Sequence, residues 1–491
     1  MDTLLNDLRY SLRRLAQAPG FTLAAVVTLA VGIGATTSIF SVVNGVLLRS
    51  LPYPEPARLV AFQPNTSAPD LKDILAWTRS FSAGGGYVPQ ALDLVGGGEP
   101  VQVQAALVTG DVFGALGVKA ERGRTLDAND DVAGGARSVV VSHAFWKSRL
   151  GGDAAAIGRP LTLSGNTYTI IGIMPKGFEL PRVEAELYAP LTVVFPEGAA
   201  ARGAHFLRSC LRLAPGTTLA QATNEMTLIA QRLEQVDPDE NKGRQWPLEP
   251  LLDRMVGNVR TALWILLGAV GLTLLVACSN FANLLLARSA VRAHEFAIRT
   301  SLGAGRRHLV RQLLTESTLL GLAGGALGVL LAVWGVDLLL ALRPDNLPRL
   351  SSIGVDTNVL IFAAVLSLVT GLVFGLIPAL HQSARPVNES LKMGTSTVSR
   401  RGALRLLGSL VASQVALALM LLIGAGLLIN GFVRLLAVEP GFDARHTMTM
   451  RIELPAARYP DSDARTRYQD RLLEAMGRLP GAEAALVSEL P

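Results

Sequence analysis

The residues best placed to do chemistry in this 491-residue chain lie in one charged stretch between two apolar runs. It reads Arg288-Ser-Ala-Val-Arg292-Ala-His294-Glu295-Phe296-Ala-Ile298-Arg299-Thr-Ser301-Leu302-Gly303-Ala304-Gly305-Arg306-Arg307. His294–Glu295 could begin a zinc-protease helix, in which two histidines four apart hold the metal and the glutamate acts as base. The second histidine position, however, is Ile298. The six His fall nowhere at ligand spacing, and two Cys, Cys210 and Cys278, give no zinc signature. Gly-Lys occurs nowhere, so the Gly-x4-Gly-Lys-Ser/Thr phosphate loop is absent, and Gly32-Ile33-Gly34 lacks the third glycine of a dinucleotide fingerprint. No Gly-x-Ser-x-Gly turn appears either. The expectation is a chain that is not an enzyme and holds no metal or cofactor of its own.

The elements around that stretch are apolar runs too long for ordinary core helices. Half of the side chains are hydrophobic and 17% charged. Five runs, 21–48, 261–287, 317–342, 359–380 and 406–433, are each long enough to cross a hydrocarbon layer about 30 Å thick. The first is too long for a secretory signal and is followed by Arg49-Ser-Leu-Pro52, which is no small-residue cleavage site. Arginine outnumbers lysine 39 to 6, and its clusters flank the apolar runs, so the net charge of +6 points to a membrane and not to nucleic acid. Segments 1–20, 288–316 and 381–405 are the basic ones, whereas 343–356 holds only Arg343 and Arg349. The positive-inside rule puts those three in the cytoplasm and leaves 49–260 and 434–491 outside. Within 1–20, Leu4, Leu5, Leu8, Leu12 and Leu15 share a helical face, as in an amphipathic helix on the cytoplasmic leaflet that turns at Pro19–Gly20.

Segment 49–260 mixes periods and predicts an α+β domain whose sheet joins distant segments. Residues 138–141 and 167–174 read as strands, 144–150 as a small helix and 219–233 as a longer one. In 206–213, Leu207, Leu211 and Leu213 alternate with Arg208 and Arg212, as in a half-buried strand. Cys210 then falls in a polar domain and Cys278 in an apolar run, so no disulfide is expected. Asn44-Gly45 and Asn430-Gly431 each end an apolar run shortly before an arginine, a sign of repetition. A second unit matching the first would need about as many external residues as 49–260, and only 57 follow Arg434. The expected fold class is an α-helical membrane protein with an α+β extracytoplasmic domain. It comprises a four-helix permease unit, the first helix of a second unit and an incomplete second external domain.

In segment 288–316 a Gly-Ala-Gly breaker separates two helical pieces, and Glu295 with Arg299 forms an i,i+4 pair on the first. Phe296, Ile298 and Leu302 are apolar residues in a loop that should face water. They fit a knob that enters a partner's groove; an interfacial helix whose arginines bind anionic phospholipid is the alternative. Asn280 and Asn283, at i and i+3 in the second run, point one way and need partners from other helices. Gly321/Gly325, Gly324/Gly328 and Gly371/Gly375 are small-xxx-small pairs suited to close helix packing.

Several of these segments resemble MacB/FtsX-type ABC transporter permeases, in particular the duplicated acidobacterial-type subgroup. They are Pro19-Gly-Phe-Thr-Leu23, Leu51-Pro-Tyr53, Phe113-Gly-Ala-Leu-Gly117, Gly123-Arg124, Phe145-Trp146, Gly172-Ile-Met-Pro175, Ala277-Cys-Ser-Asn-Phe-Ala-Asn-Leu-Leu-Leu-Ala287 and Glu295-Phe-Ala-Ile-Arg-Thr-Ser-Leu-Gly-Ala304. The resemblance implies a periplasmic core domain between the first two helices. It also implies that 288–316 is a coupling segment docking on a separate ABC ATPase, which binds the ATP. The coupling residues it marks are Arg292, Glu295, Phe296, Ile298, Arg299, Leu302 and Gly303. Further implied are an inner-membrane location, a dimer of permease units, a periplasmic partner, and export of an antimicrobial compound, peptide or lipoprotein. The alternative is a non-transporting transmitter that drives an envelope enzyme or sensor.

Overall fold

The computed structural model describes residues 2–96, 101–292, 306–341, 349, 352–383, 397–438, 448, 450, 452, 459 and 462–479. The chain forms two compact units, Met1–Arg49 with Asn258–Thr447 and Ser50–Gly257 with Met448–Pro491. Among the described residues, five helices are long and apolar enough to cross a membrane.

The first unit begins with α1 (Asp2–Ala16) and α2 (Pro19–Val43). Pro19 starts α2 because the first helical turn has no use for the missing N–H. Three further long helices follow, α3 (Leu251–Val291), α4 (Arg306–Ala341) and α5 (Thr357–Ser383), and then α6 (Thr397–Leu436). Their membrane-competent parts are Pro19–Leu48, Val259–Ser289, Val310–Ala341, Thr357–Leu376 and Gly408–Leu436. The third begins a turn or two before the expected 317, because Glu316 lies buried inside the bundle and is not a loop charge. The first four pack on one another; the most apolar part of α6 buries nothing.

Small residues set that packing. A Cβ on Gly34 of α2 would stand 2.9 Å from the carbonyl oxygen of Gly328 on α4, and one on Gly321 would stand 2.7 Å from the Ser367 carbonyl and 3.1 Å from the Cα of Gly371 on α5. Backbones this close trade side-chain volume for dispersion contact. In α1, Ser11 and Leu15 are buried while Leu8 and Leu12 are exposed, so burial does not follow the leucine face that the pattern marks.

The second unit is a ten-stranded sheet. Its strands are β1 (Leu59–Phe62), β2 (Phe81–Val95), β3 (Val101–Gly110), β4 (Arg122–Gly123), β5 (Ser138–Val141), β6 (Pro160–Leu163), β7 (Asn166–Ile173), β8 (Leu187–Pro190), β9 (Arg208–Leu213) and β10 (Leu248–Pro250). Their order is β10-β1-β9-β2-β3-β8-β5-β7-β4, with β6 pairing β2 and β7. As the pattern predicts, distant segments meet: β1 lies between β9 and β10. Two cores lie side by side against one face of the sheet. One gathers Phe62, Ile74, Leu211, Met226, Leu233 and Trp246, the last two from and after the helix Leu219–Val236, which opens with a Thr218–Gln221 capping box. The other gathers Val139, Phe145, Trp146, Ile170 and Leu187.

The half-buried reading of 206–213 is corrected here, because β9 is an interior strand covered on both faces. Arg212 is buried with it, its Nε donating to the Ala115 carbonyl at 2.7 Å and its Nη2 to that of Pro54 at 2.9 Å. Cys210 and Cys278 are free and buried.

In the segment after β4 the Asp130 carboxylate accepts both terminal nitrogens of Arg124, at 2.6 and 2.7 Å, and the Asp127 N–H at 3.0 Å. The Arg124 hydrogen bonds hold its carboxyl below the usual carboxylate range. A depressed carboxyl stabilises the fold above its unfolded pKa, about 3.9, and loses that contribution as pH falls through the native value.

Two outcomes are expected. Gly321→Leu should destabilise the membrane unit by about 1–3 kcal/mol, whereas Gly424→Leu on α6, with nothing within 4 Å, should stay within about 0.5 kcal/mol; thermal unfolding in detergent checks both. Asp130→Asn should cost about 1 kcal/mol at pH 7, the half-exposed Arg124 being screened. Melting curves from pH 7 to pH 3 should show that difference closing below about pH 4.

Candidate functional site

The stretch between α3 and α4 is anchored on both sides by one buried carboxylate. Arg292, just past the end of α3, donates from Nη1 to Glu316 Oε2 at 2.9 Å and from Nη2 to Oε1 at 3.5 Å. The two side chains are 10% and 5% exposed. Gln312, one turn before Glu316 and also buried, donates from Nε2 to Oε1 at 3.2 Å. A carboxylate in apolar surroundings needs a forked cation and further donors to be stable, and here it has both. Arg292 and Glu316 are 24 positions apart, so the pair ties the end of α3 to α4.

A second arginine of α3 fastens α1 to the same end of the bundle. Arg288 Nη2 donates to the Arg14 carbonyl at 3.2 Å, satisfying one of the acceptors that the last turn of α1 leaves open, and its guanidinium stands 4.3 Å over the Phe21 ring of α2. Thr22 Oγ1 donates to the Leu15 and Ala18 carbonyls at 2.8 and 3.0 Å, which fixes the α1–α2 corner.

The opposite end of α2 is held as firmly. Its last turn, Asn44–Leu48, is π-helical, with the Arg49 N–H donating to the Asn44 carbonyl at 2.7 Å. Asn44 Nδ2 donates to Asp356 Oδ2 at 3.0 Å while Asp356 Oδ1 caps α5 through the Val359 N–H. Ser41 Oγ donates to the Gly354 carbonyl at 2.6 Å, and Arg349 Nη1 to the carbonyls of Val46 and Arg49 at 3.1 and 2.8 Å. Arg349 has φ = +63°, a left-handed conformation that costs energy in a non-glycine residue, and a Cβ on Gly45 would meet the Ser352 carbonyl at 2.7 Å. The Asn-Gly pair of the first span is thus gripped by the α4–α5 connection. Its counterpart in α6 is not: Asn430 is exposed and a Cβ on Gly431 would touch nothing.

Of the residues marked for coupling, Arg292 is placed by the structure, and it is turned inward onto Glu316. Glu295, Phe296, Ile298, Arg299, Leu302 and Gly303 lie outside the described residues. Asn280 and Asn283 do not share an environment: Asn280 is exposed, whereas Asn283 is half-buried with its Oδ1 enclosed and without a hydrogen-bond partner among the described residues. Sequence reading missed Glu316, Gln312, Asp356 and Arg349. For Glu316 the signal was present, a single carboxylate one residue before an apolar run; for Asp356 it was an acidic residue at the start of one.

Breaking the buried pair from one side should be costly. Glu316→Gln or Arg292→Gln should each destabilise by about 3–5 kcal/mol, and the double variant Arg292→Met, Glu316→Leu should recover most of it. A double-mutant cycle on unfolding free energy measures this.

The sequence has counterparts among known proteins. The MacB-like periplasmic core domain family matches residues 22–229, and the FtsX-like permease C-terminal family matches 267–387. The ABC transporter permease YknZ of Bacillus subtilis is 27% identical over 264 residues, covering 53% of this chain and 63% of that protein. The macrolide export ATP-binding/permease protein MacB of Escherichia coli K12 is 26% identical over 280 residues, covering 57% and 42%. The match spans less than two thirds of each of these relatives. Among solved structures, a permease domain from Porphyromonas gingivalis and the periplasmic region of MacB from Actinobacillus actinomycetemcomitans align at 15% and 13% identity, over 41% and 42% of this chain and 92% of each of theirs, with TM-scores of 0.33 and 0.32. Both family regions occur here in order, joined by the long apolar helices, and the chain belongs to the MacB/FtsX-type ABC transporter permeases.

Proposed function

We propose that the chain is the membrane subunit of an ATP-driven export system, working through a separate ABC ATPase that binds the nucleotide. In this reading it sits in a bacterial inner membrane with its amino terminus and segment 288–316 in the cytoplasm. The α+β unit faces outward toward a periplasmic partner, and two permease units pair as a dimer. The cargo is an antimicrobial compound, a peptide or a lipoprotein.

The observation that carries the reading is the Arg292–Glu316 pair. A solvated loop between two membrane helices needs no buried ion pair at its base, whereas a loop that must deliver force does. With both feet tied, a pull on 293–305 is delivered to α3 and α4 together. Close backbone contact passes it from α4 to α2, whose far end is fastened by Asn44–Asp356 and Arg349. Both α2 and α3 continue covalently into the α+β unit, so displacement of either is felt there. Arg292 then acts as a positioning residue, and Glu295, Phe296, Ile298, Arg299, Leu302 and Gly303 make the contacts with the ATPase.

Glu295→Lys or Arg299→Glu should abolish co-purification of a co-expressed ABC ATPase while membrane insertion is unchanged. Undiminished pull-down would remove the coupling reading. Vesicles containing both subunits should then move a solute in an ATP-dependent manner; ATP turnover without flux would favour the transmitter alternative.

A further inference from the structure

We propose that Trp264 of α3 and Trp334 of α4 seat the membrane unit in the headgroup layer of the bilayer, each indole N–H donating to phospholipid ester oxygens. The helix faces that carry them are covered by lipid and not by a second copy of the chain. The inference rests on the chain's spanning a bilayer and is independent of any ATPase.

Both rings lie open. Trp334 is 74% exposed and Trp264 48%, and among the described residues neither N–H has a hydrogen-bond partner. An unpaired indole N–H is costly in hydrocarbon, while the same ring in water exposes a large apolar surface. The layer between supplies acceptors for the N–H and hydrocarbon for the ring.

Their depth fits that layer. Trp264 stands four residues inward of Arg260 and Trp334 three residues inward of Asp337, about 6 and 4.5 Å at 1.5 Å per residue. Arg260 and Asp337 are exposed charges near the ends of Val259–Ser289 and Val310–Ala341, and such side chains stay out of hydrocarbon. Helix α3 runs toward the Arg292–Glu316 pair and α4 away from it, so both tryptophans lie at the end of the spans opposite that pair. The five membrane-competent parts hold no other Trp and no Tyr.

The faces identify the occupant. Membrane helices meet one another through small residues, and those of α4 already face α2. Cβ atoms on Gly324, Gly328 and Gly335 would stand 2.7 Å from the Leu29 Cβ, 3.1 Å from the Ala30 carbonyl oxygen and 2.9 Å from Ser38 Oγ. Ala332 and Val336, two residues either side of Trp334 and so nearly opposite it on the helix, are buried. The stripe through Trp334 consists of Leu327, Leu330, Leu331 and Leu338, all exposed, and on α3 the neighbours Ile265 and Leu266 are exposed beside Trp264. Bulky aliphatic side chains with an amphipathic ring toward one end match acyl chains topped by headgroups.

The test is tryptophan fluorescence of the full chain reconstituted in vesicles of phosphatidylcholine whose acyl chains carry bromine either near the headgroup or near the bilayer centre. Bromine near the headgroup should quench the more strongly. The double variant Trp264→Phe, Trp334→Phe should lose nearly all of that quenching and each single variant part of it, because Trp77, Trp146 and Trp246 belong to the α+β unit. Circular dichroism and gel filtration establish that each variant is folded. Quenching as strong in the double variant as in the wild type, or strongest from the bilayer centre, would overturn the proposal. So would an unquenched wild type, the result expected where a second copy covers the two rings.

Discussion

One carboxylate, Glu316, decides how the membrane unit is built. In an apolar bundle an ionised side chain survives only when its charge is met and its lone pairs are used, because the loss of water costs several kcal/mol per ion. Arg292 and Gln312 supply those partners, one from beyond the end of α3 and one from the same helix. The requirement works in both directions. The carboxylate cannot leave the guanidinium, and so α3 and α4 cannot part at this end. The same end collects Arg288, Phe21 and the Arg14 carbonyl, so that α1, α2, α3 and α4 converge there on contacts made by arginines and, among the described residues, the Glu316 carboxylate.

From that node, stiffness is carried by contact without side chains. Where Gly34 meets Gly328 and Gly321 meets Gly371, backbones approach too closely for a Cβ, and helices packed in this way slide or rotate as bodies. At the far end the arrangement is different in kind. There α2 widens into a π-helical turn, and Asp356 serves at once as a partner for Asn44 and as the cap of α5, while Arg349 accepts a left-handed backbone in order to reach two carbonyls. Strain of that sort persists only where the surroundings over-determine it. The bundle is therefore fastened by charge at one end and by hydrogen bonds to an irregular turn at the other, and α6, with its ungripped Asn430-Gly431, shares in neither.

How much of this was legible in the sequence depended on whether a feature is local. Five apolar runs, the glycine spacings, the strand 138–141 and the helix 219–233 follow from length and period, which any window reveals, and the structure has them. The Asn44-Gly45 motif was visible as a motif, but its meaning was not, since the loop that grips it arrives some three hundred residues later. Errors came where a residue's neighbours decide its state. Glu316 looked like a loop charge because its arginine is 24 positions away. Arg212 marked a solvent face by alternation, yet β9 is central and the arginine is satisfied by two carbonyls. The leucine face of α1 is the obvious stripe, but burial follows Ser11 and Leu15. Asn280 and Asn283 share a helical face by spacing and still separate into an exposed amide and an enclosed one. Arg349 could not be found at all, because strain leaves no compositional trace.

The central claim is that the α3–α4 connection stands on two feet held together. Spin labels at Val291 and His308, both exposed and close to those feet, report it directly in a chain whose buried Cys210 and Cys278 have been replaced by alanine. Pulsed electron paramagnetic resonance should give one narrow distance distribution in the wild type and a markedly broader one in Glu316→Gln. A broad distribution in the wild type, or a narrow one that Glu316→Gln leaves unchanged, would contradict the account.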